Sequence, residues 1–419
     1  MLAINEYRDA QQCPILKEEA TMKKIALWVL LVMLPAVITC FLAQDALAFS
    51  PLVFGDEGAF LKIDYQGQLY GVLRDTGSGP DKTSDTSDLF FRRNRLTFWG
   101  HGTDKYGFIV QLEYTGERRV GPLAVSDTPG DDLSVLDAYF MADFSNSFRL
   151  YAGKQKIQLT RENLEDCFEP LSLDRSLFIY TPFKHSRDTG LVIWGNIPEA
   201  LMQYRLAVSK GKDNGNEPES SFMYTGRVHF SVLDPEWAYG YKGTYLGTKK
   251  TLTVGAGYQH ESDAVYSDVA AKTGTKSYSA WTVDGFFEYP FKDAGAVTIS
   301  GAYLKTDFDD AFKGNNPDPE SLGIDGEKKG WYAKAGYLLP MKIGGGQVQP
   351  FVRYENWRFA SLNNVFDQKI KWFGGGVNYF INGQSLRVTL EYAKTNFDKE
   401  ENNSSKDFST LTAMLQYRF

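Results

Sequence analysis

The chain has 419 residues, with 45 Lys and Arg against 52 Asp and Glu, and a formal net charge of −7. This mildly acidic balance offers no electrostatic attraction for nucleic acid. Aromatic residues make up 15% of the chain and glycine is frequent, at 39 residues, which favours many short strands over a helical bundle.

The N-terminal region predicts a secretory signal. Residues 25–43 form an apolar stretch, and Lys23 and Lys24 precede it as a charged n-region. Ala46 and Ala48 supply the small residues that a signal peptidase requires, so we expect cleavage before Phe49. An uncleaved anchor helix is the alternative interpretation, because the stretch is long enough to span a bilayer.

The chain is therefore divided into three parts. Residues 1–21 are interpreted as an upstream extension from a start codon placed too early, residues 22–48 as the signal peptide, and residues 49–419 as the mature protein. Removing the first two parts takes away four basic and five acidic residues, which leaves the mature chain mildly acidic. Cys167 then remains as its single cysteine, which excludes an intrachain disulfide.

Alternation of apolar and polar residues begins at Ala59 and recurs to the last residue. In the first candidate strand, one face carries Leu61, Ile63, Tyr65, Leu69 and Leu73, and the other carries Lys62, Asp64, Gln66, Gln68 and Arg74. We count sixteen such segments of about ten residues, the length that a tilted strand needs to cross the hydrocarbon layer. The last one ends in Phe419 with Tyr417 two residues earlier, like the terminal strand of an outer-membrane barrel.

Long and short connections alternate along the chain. Long polar segments such as 75–88, 116–132, 156–188 and 306–329 follow every second strand, and short ones such as 143–147 and 381–384 follow the others. An unpaired strand edge cannot persist in lipid. The pattern thus predicts a closed antiparallel transmembrane β-barrel with short periplasmic turns, long extracellular loops and a lumen wide enough for water. The segment from Ser231 to Lys250 is too long for a periplasmic turn, and the pattern does not explain it.

Two sets of charged residues are candidates for the permeation site. The alternation places seven on the inner face of the wall: Arg93, Arg95, Arg205, Arg227, Arg353, Arg387 and Glu113. The long loop after the fifth strand contains the other seven: Arg161, Glu162, Glu165, Asp166, Glu169, Asp174 and Arg175. Arginines along a constriction favour anions, whereas the acidic residues of the loop favour cations. Both sets have a simpler interpretation, since charge is expected on any lumen wall and on any solvated loop.

Several short motifs resemble the family of phosphate-selective porins O and P. They are FFRRNRLTFWG at 90–100, GFIVQLEY at 107–114, AGKQKIQLTREN at 152–163, RDTGLVIWG at 187–195 and GWYAKAGYLL at 330–339. The resemblance extends over nearly all of the mature chain. It implies a sixteen-stranded, commonly trimeric outer-membrane porin whose third outer loop narrows the lumen.

We therefore expect a passive channel for small hydrophilic solutes or ions, with anions such as phosphate among the candidates. The expected partners are outer-membrane lipid, lipopolysaccharide and two further copies of the chain, without nucleic acid, and no cofactor is expected. The four histidines, His101, His185, His229 and His260, show no metal-ligand spacing, so we expect neither a metal site nor catalytic residues. An adhesive or structural barrel with an incidental pore and an outer-membrane hydrolase are the alternatives.

Overall fold

The computed structural model describes residues 52–54, 59–114, 133–176, 186–211, 218, 221–268, 271–309 and 327–419. The predicted signal peptide and the boundaries at residues 21 and 48 lie outside these ranges. Within them, no helix is both long and apolar enough to cross a membrane.

Nearly all of the described chain is β-strand. Strands β1 to β9 are Leu52–Phe54, Ala59–Ser78, Ser84–His101, Tyr106–Tyr114, Leu133–Ser145, Phe148–Lys156, Arg187–Ile197, Met202–Ser209 and Met223–Ser231. Strands β10 to β18 are Thr251–Asp268, Thr273–Phe291, Gly295–Asp307, Lys328–Leu338, Lys342–Ile343, Gly346–Leu362, Val365–Asn382, Leu386–Phe397 and Phe408–Arg418. Strands β1 and β14 have three and two residues, and the other sixteen build the wall.

These sixteen strands form one closed antiparallel ring. Strand β18 pairs with β2 over residues 410–418 and 66–74, and β9 pairs with β10, so the first and last long strands are neighbours. Phe419 extends this seam, because its N–H donates to the carbonyl of Tyr65 at 2.9 Å. The predicted fold class, a closed antiparallel β-barrel of about sixteen strands, is confirmed.

The two faces of the wall differ in chemistry as the alternation predicts. In β11, Trp281 and Val283 point outward and are 44% and 46% exposed, whereas Thr282 and Asp284 point into the barrel and are buried. Outward-facing large apolar side chains recur around the ring, among them Leu206, Val254, Val352 and Phe373. This outer surface is the one that lipid covers.

Two features of the strands differ from the expectation. Several are longer than ten residues, up to 20 in β2, and the predicted loop 75–88 shrinks because the hairpin continues to Ser78 and Ser84. Between the pairs Gln68–Arg93 and Leu69–Phe91 the register shifts by one residue. This bulge turns Arg92 into the lumen beside Arg93, where strict alternation would have placed it in lipid.

Two segments occupy much of the lumen. L3, defined as residues 157–176 and 186, follows β6, and the periplasmic insert, defined as residues 232–250, connects β9 to β10. Ile157 and Leu159 of L3 belong to a buried apolar cluster with inward side chains of β10 to β18, such as Tyr278, Leu304 and Trp357. The inside of the barrel is therefore packed on one side, unlike the open lumen that the sequence suggested.

The outward orientation of Val283 is tested by its replacement with arginine. Near the middle of the wall, Val283→Arg should destabilise the barrel by about 2–4 kcal/mol, because lipid does not solvate the guanidinium. Urea-induced unfolding in lipid vesicles, followed by tryptophan fluorescence, measures the change. Val283→Leu is the matched control, and equal stability of the two variants would show that this face does not contact lipid.

Candidate functional site: a charged constriction inside the barrel

L3 enters the lumen directly after β6. The hydroxyl of Thr160 accepts a hydrogen bond from the N–H of Asn163 at 3.1 Å and caps α1, a single helical turn at Arg161–Leu164. All four residues of this turn are buried. The side-chain amide of Asn163 donates to the carbonyls of Ile157 and Ser186, at 2.8 and 2.9 Å, and thereby ties the two ends of L3 together.

Charged wall residues hold the first half of L3 in place. Glu162 forms an ion pair with Lys334 of β13 at 2.5 Å. Arg227 of β9 binds both carboxylate oxygens of Asp284, at 2.6 and 2.8 Å, and also donates to the carbonyl of Leu159 at 3.2 Å. Such contacts fix the loop against the wall of β9 to β13.

Wall arginines bind the second half of L3 in the same way. Arg92 and Arg93 each contact the carboxylate of Asp174, at 2.9 and 2.7 Å. Arg353 donates to the carbonyl of Asp174 at 3.1 Å, and Arg387 donates to the carbonyl of Pro170 at 3.0 Å. Because a guanidinium offers several donors, one arginine can bind the wall and the loop together.

A cavity of about 450 Å³ lies between L3, the periplasmic insert and the wall of β2 to β7. Its wall carries two close ion pairs. Arg95 contacts Glu113 at 2.8 Å, and Arg187 contacts Asp137 at 3.2 Å. The other polar lining residues are Asp64, Gln66, Thr97, Gln111, Tyr139, Gln155, Lys156, Asp166, Glu169, Tyr239, Tyr241, Lys242 and Arg418, together with the thiol residue Cys167.

A second charged cluster lies at the periplasmic end of this cavity. Lys242 of the insert contacts Glu169 of L3 at 3.1 Å. Arg418 of β18 contacts both Glu169 and Asp166, at 3.4 and 3.5 Å. The side chains of Lys242 and Asp166 are 45% and 34% exposed, so these charges are accessible to solvent.

Few of the residues predicted from the sequence border the cavity. Among the wall candidates, Arg95 does so, whereas Arg93, Arg205, Arg227, Arg353, Arg387 and Glu113 face the lumen but are at most 4% exposed. In L3, Asp166 and Glu169 border it, whereas Arg161, Glu162, Glu165, Asp174 and Arg175 are buried in contacts with their surroundings. The six covered wall residues therefore support the constriction without lining the cavity.

Sequence reasoning missed Lys242, Arg418 and Arg187 as lining residues. Arg418 alternates with Tyr417 and Phe419 on the last strand, so its inward direction was readable from the sequence. Lys242 belongs to a segment without strand periodicity, and only the folded chain places it in the lumen. Arg187 was assigned to a loop, but it begins β7.

L3 and the insert are not membrane-spanning strands. Their buried ionisable groups have pKa values shifted by burial and by neighbouring charges. Burial opposes ionisation of Glu236, yet the Arg161 guanidinium beside it lowers the pKa of that carboxyl to about 2. Burial lowers the pKa of Arg175 to about 10, and the nearby cations Arg93 and Arg187 add to this shift. Four nearby cations, Arg175 first, overcome burial and lower the pKa of the Cys167 thiol.

The Arg161–Glu236 pair predicts a pH dependence of stability. Its two bonds measure 2.7 and 2.9 Å, and Glu236 has a lower pKa in the folded than in the unfolded chain. The pair therefore stabilises the fold above the ordinary carboxyl range, and this contribution is lost as pH falls toward about 2. Glu236→Gln should lower stability at neutral pH by on the order of 3 kcal/mol, because Arg161 loses its counter-charge.

Urea unfolding of the wild type, of Glu236→Gln and of the exposed control Glu199→Gln measures this difference at neutral and acid pH. The difference between wild type and Glu236→Gln should shrink as the pH falls, while Glu199→Gln follows the wild type throughout. A difference that does not depend on pH would contradict the ionised pair.

Comparison with known proteins agrees with this architecture. The family model for "phosphate-selective porin O and P" matches residues 70–419. An uncharacterised protein of Aquifex aeolicus is 24% identical over 383 residues, which cover 85% of each chain.

Three solved structures show the same fold. They are an anion-selective porin from Comamonas acidovorans (TM-score 0.53, 10% identity, 86% of this chain and 100% of that one), the outer-membrane channel DcaP of Acinetobacter baumannii (0.53, 13%, 88% and 99%) and OmpF of Salmonella typhi in complex with daunomycin (0.54, 11%, 88% and 100%). With its closed wall and its charged constriction, the chain belongs to the family of phosphate-selective porins O and P and is an outer-membrane channel.

Proposed function

We propose that this porin passes small hydrophilic solutes and ions by passive diffusion along the cavity between L3, the periplasmic insert and the wall of β2 to β7. One observation carries the proposal, namely the polar cavity of about 450 Å³ inside a closed barrel. Its lining reaches from Asp137 and Arg187, near the outer ends of their strands, to Asp64 and Arg418 at the periplasmic side. The opposite side of the lumen is filled by L3 and apolar side chains.

The charge of this lining favours weak ion selectivity. Its basic residues are Arg95, Lys156, Arg187, Lys242 and Arg418, and its acidic residues are Asp64, Asp137, Asp166 and Glu169. Because the two signs nearly balance and contact each other, a permeating ion meets no extended field of one sign. The proposal therefore departs from the phosphate selectivity in the name of the family, since most of the wall arginines bind L3.

We further propose that the mature chain, residues 49–419, reaches the outer membrane after signal-peptide cleavage and assembles there as a homotrimer. The n-region, apolar stretch and cleavage pattern of the sequence support export. The resemblance to sixteen-stranded porins supports the trimer. Chemical cross-linking of the detergent-purified protein reports the oligomeric state.

Planar-bilayer recording tests the channel function. The refolded mature chain should give a stable conductance under a potassium chloride gradient, with a reversal potential close to zero, because the lining charges nearly balance. A strongly anion-favouring reversal potential would contradict weak selectivity and assign anion transport to the lining arginines. A folded barrel without conductance would overturn the porin function and favour the adhesive barrel.

A charge reversal tests whether the proposed route is the conducting one. Lys242→Glu turns a cation of the lining into an anion, so the reversal potential should shift toward cation preference. Lys369→Glu is the matched control, because Lys369 is comparably exposed, 53% against 45% for the side chain, but lies on the outer face of β16. Equal reversal potentials for the two variants would place the route elsewhere in the lumen.

A further inference from the structure

The periplasmic insert is the segment whose length the sequence pattern left unexplained. It begins as a continuation of the β9–β10 hairpin, since the N–H groups of Val232 and Asp234 donate to the carbonyls of Leu252 and Lys250, both at 2.8 Å. A short turn between Asp234 and Lys250 would complete an ordinary periplasmic hairpin. The chain instead leaves the hairpin and enters the lumen.

Inside the lumen the insert meets L3 through backbone hydrogen bonds. Glu165 and Tyr241 form a parallel β-bridge, in which the N–H of Asp166 donates to the carbonyl of Tyr241 at 2.9 Å and the N–H of Tyr241 donates to that of Leu164 at 3.2 Å. The N–H of Gly243 adds a third bond, to the carbonyl of Glu169 at 2.9 Å. Two segments that enter from opposite ends of the barrel thus become one unit.

This junction is close-packed. A Cβ atom on Gly243 would lie 2.6 Å from the backbone nitrogen of Leu171 and 2.8 Å from the Cα atom of Pro170, so only glycine permits the approach. The Arg161–Glu236 pair lies beside it, and Glu236 also accepts hydrogen bonds from Thr253 and Tyr245 at 2.9 and 2.6 Å. Such a buried network of charged and polar groups resists displacement.

Inward side chains of the wall anchor the insert as well. Glu288 of β11 accepts hydrogen bonds from the N–H groups of Tyr245 and Gly247, both at 2.8 Å. The hydroxyl of Tyr241 lies 2.6 Å from Nδ1 of His229 and donates to Gln203 at 3.1 Å. Because β8, β9 and β11 all contribute, the insert is held along a broad part of the wall.

The free edge of the insert faces the cavity. Tyr239, Gly240, Tyr241 and Lys242 line it opposite β2 to β6. Gly240 is exposed, and a Cβ atom there would meet only the carbonyl oxygen of Leu164, at 3.6 Å. A larger side chain at this position would therefore extend into the cavity without distorting the backbone.

We propose that the periplasmic insert is a second, fixed constriction element that sets the cross-section of the pore together with L3. The proposal rests on the proposed function, since it assigns the conducting route to the cavity that both segments border. L3 packs against β9 to β13 and the insert against β8, β9 and β11, and together they border the cavity opposite β2 to β6. The size limit for solutes then depends on residues 232–250 as much as on L3.

Single-channel recording of the mature chain tests this element with a narrowing substitution. Gly240→Trp should lower the conductance by more than half, because the indole projects into the passage. Gly102→Trp is the matched control, since a Cβ atom at Gly102, in the periplasmic turn between β3 and β4, meets no atom within 4 Å. Its conductance should equal that of the wild type.

A variant without most of the periplasmic insert should have a wider pore and a higher conductance. Replacement of residues 235–249 by an Asn-Gly turn closes the hairpin that Asp234 and Lys250 already form. Conductance should rise, and larger neutral polyethylene glycols should enter the pore. If the deletion prevents folding, the conductances of Gly240→Trp and Gly102→Trp alone test the second constriction.

Wild-type conductance from Gly240→Trp, or from a folded deletion variant, would overturn the second constriction while leaving the channel function intact. A wild-type barrel that does not conduct would instead refute the proposed function itself. The two failures are therefore distinguishable in one set of recordings.

Discussion

The structure depends on one constraint, that every backbone N–H and C=O group of a strand in lipid must find a partner within the protein. The pairing of β18 with β2 meets this constraint by joining the last strand to the first, and it uses the chain to its final residue, Phe419. Closure fixes the circumference at sixteen strands and thereby creates a lumen too wide for wall side chains to fill. Because of this width, other parts of the chain can enter the lumen.

Two segments of the chain itself take up this space, and charged groups hold them there. Ionised groups in a low-dielectric interior need partners close by, and such pairs form between wall and loop, as in Lys334 with Glu162, and within the wall, as in Arg227 with Asp284. A row of inward arginines can therefore serve as structural support for L3. The same row would form an anion path only where it borders open space, as at Arg95.

The barrel fold and the proposed permeation site depend on different residues. Porins with 10–13% identity to this chain share its barrel, because the wall requires only alternation and closure. In the proposed route, permeation depends on a few side chains at the narrowest point, contributed by L3, the periplasmic insert and one side of the wall.

The sequence determined the wall. Alternation of residues such as Leu411 and Thr412 predicts which side chains meet lipid, and the length and number of segments predict sixteen strands, because these features depend only on local period and on the thickness of the bilayer. The inward direction of Arg353 and Arg387 was predictable for the same reason. The bulge that turns Arg92 inward was not, since a register shift has no signature in the local pattern.

The constriction was decided by tertiary structure. L3 could be identified by its length and position, but the sequence did not show that Arg353, Arg387 and Asp174 bind it to the wall and so leave the cavity to Arg95, Arg187 and Lys242. Neither did it show that residues 232–250 enter the lumen, because they lack the periodicity of a strand. Their position depends on contacts between residues such as Arg161 and Glu236, 75 positions apart, which only the closed barrel brings together.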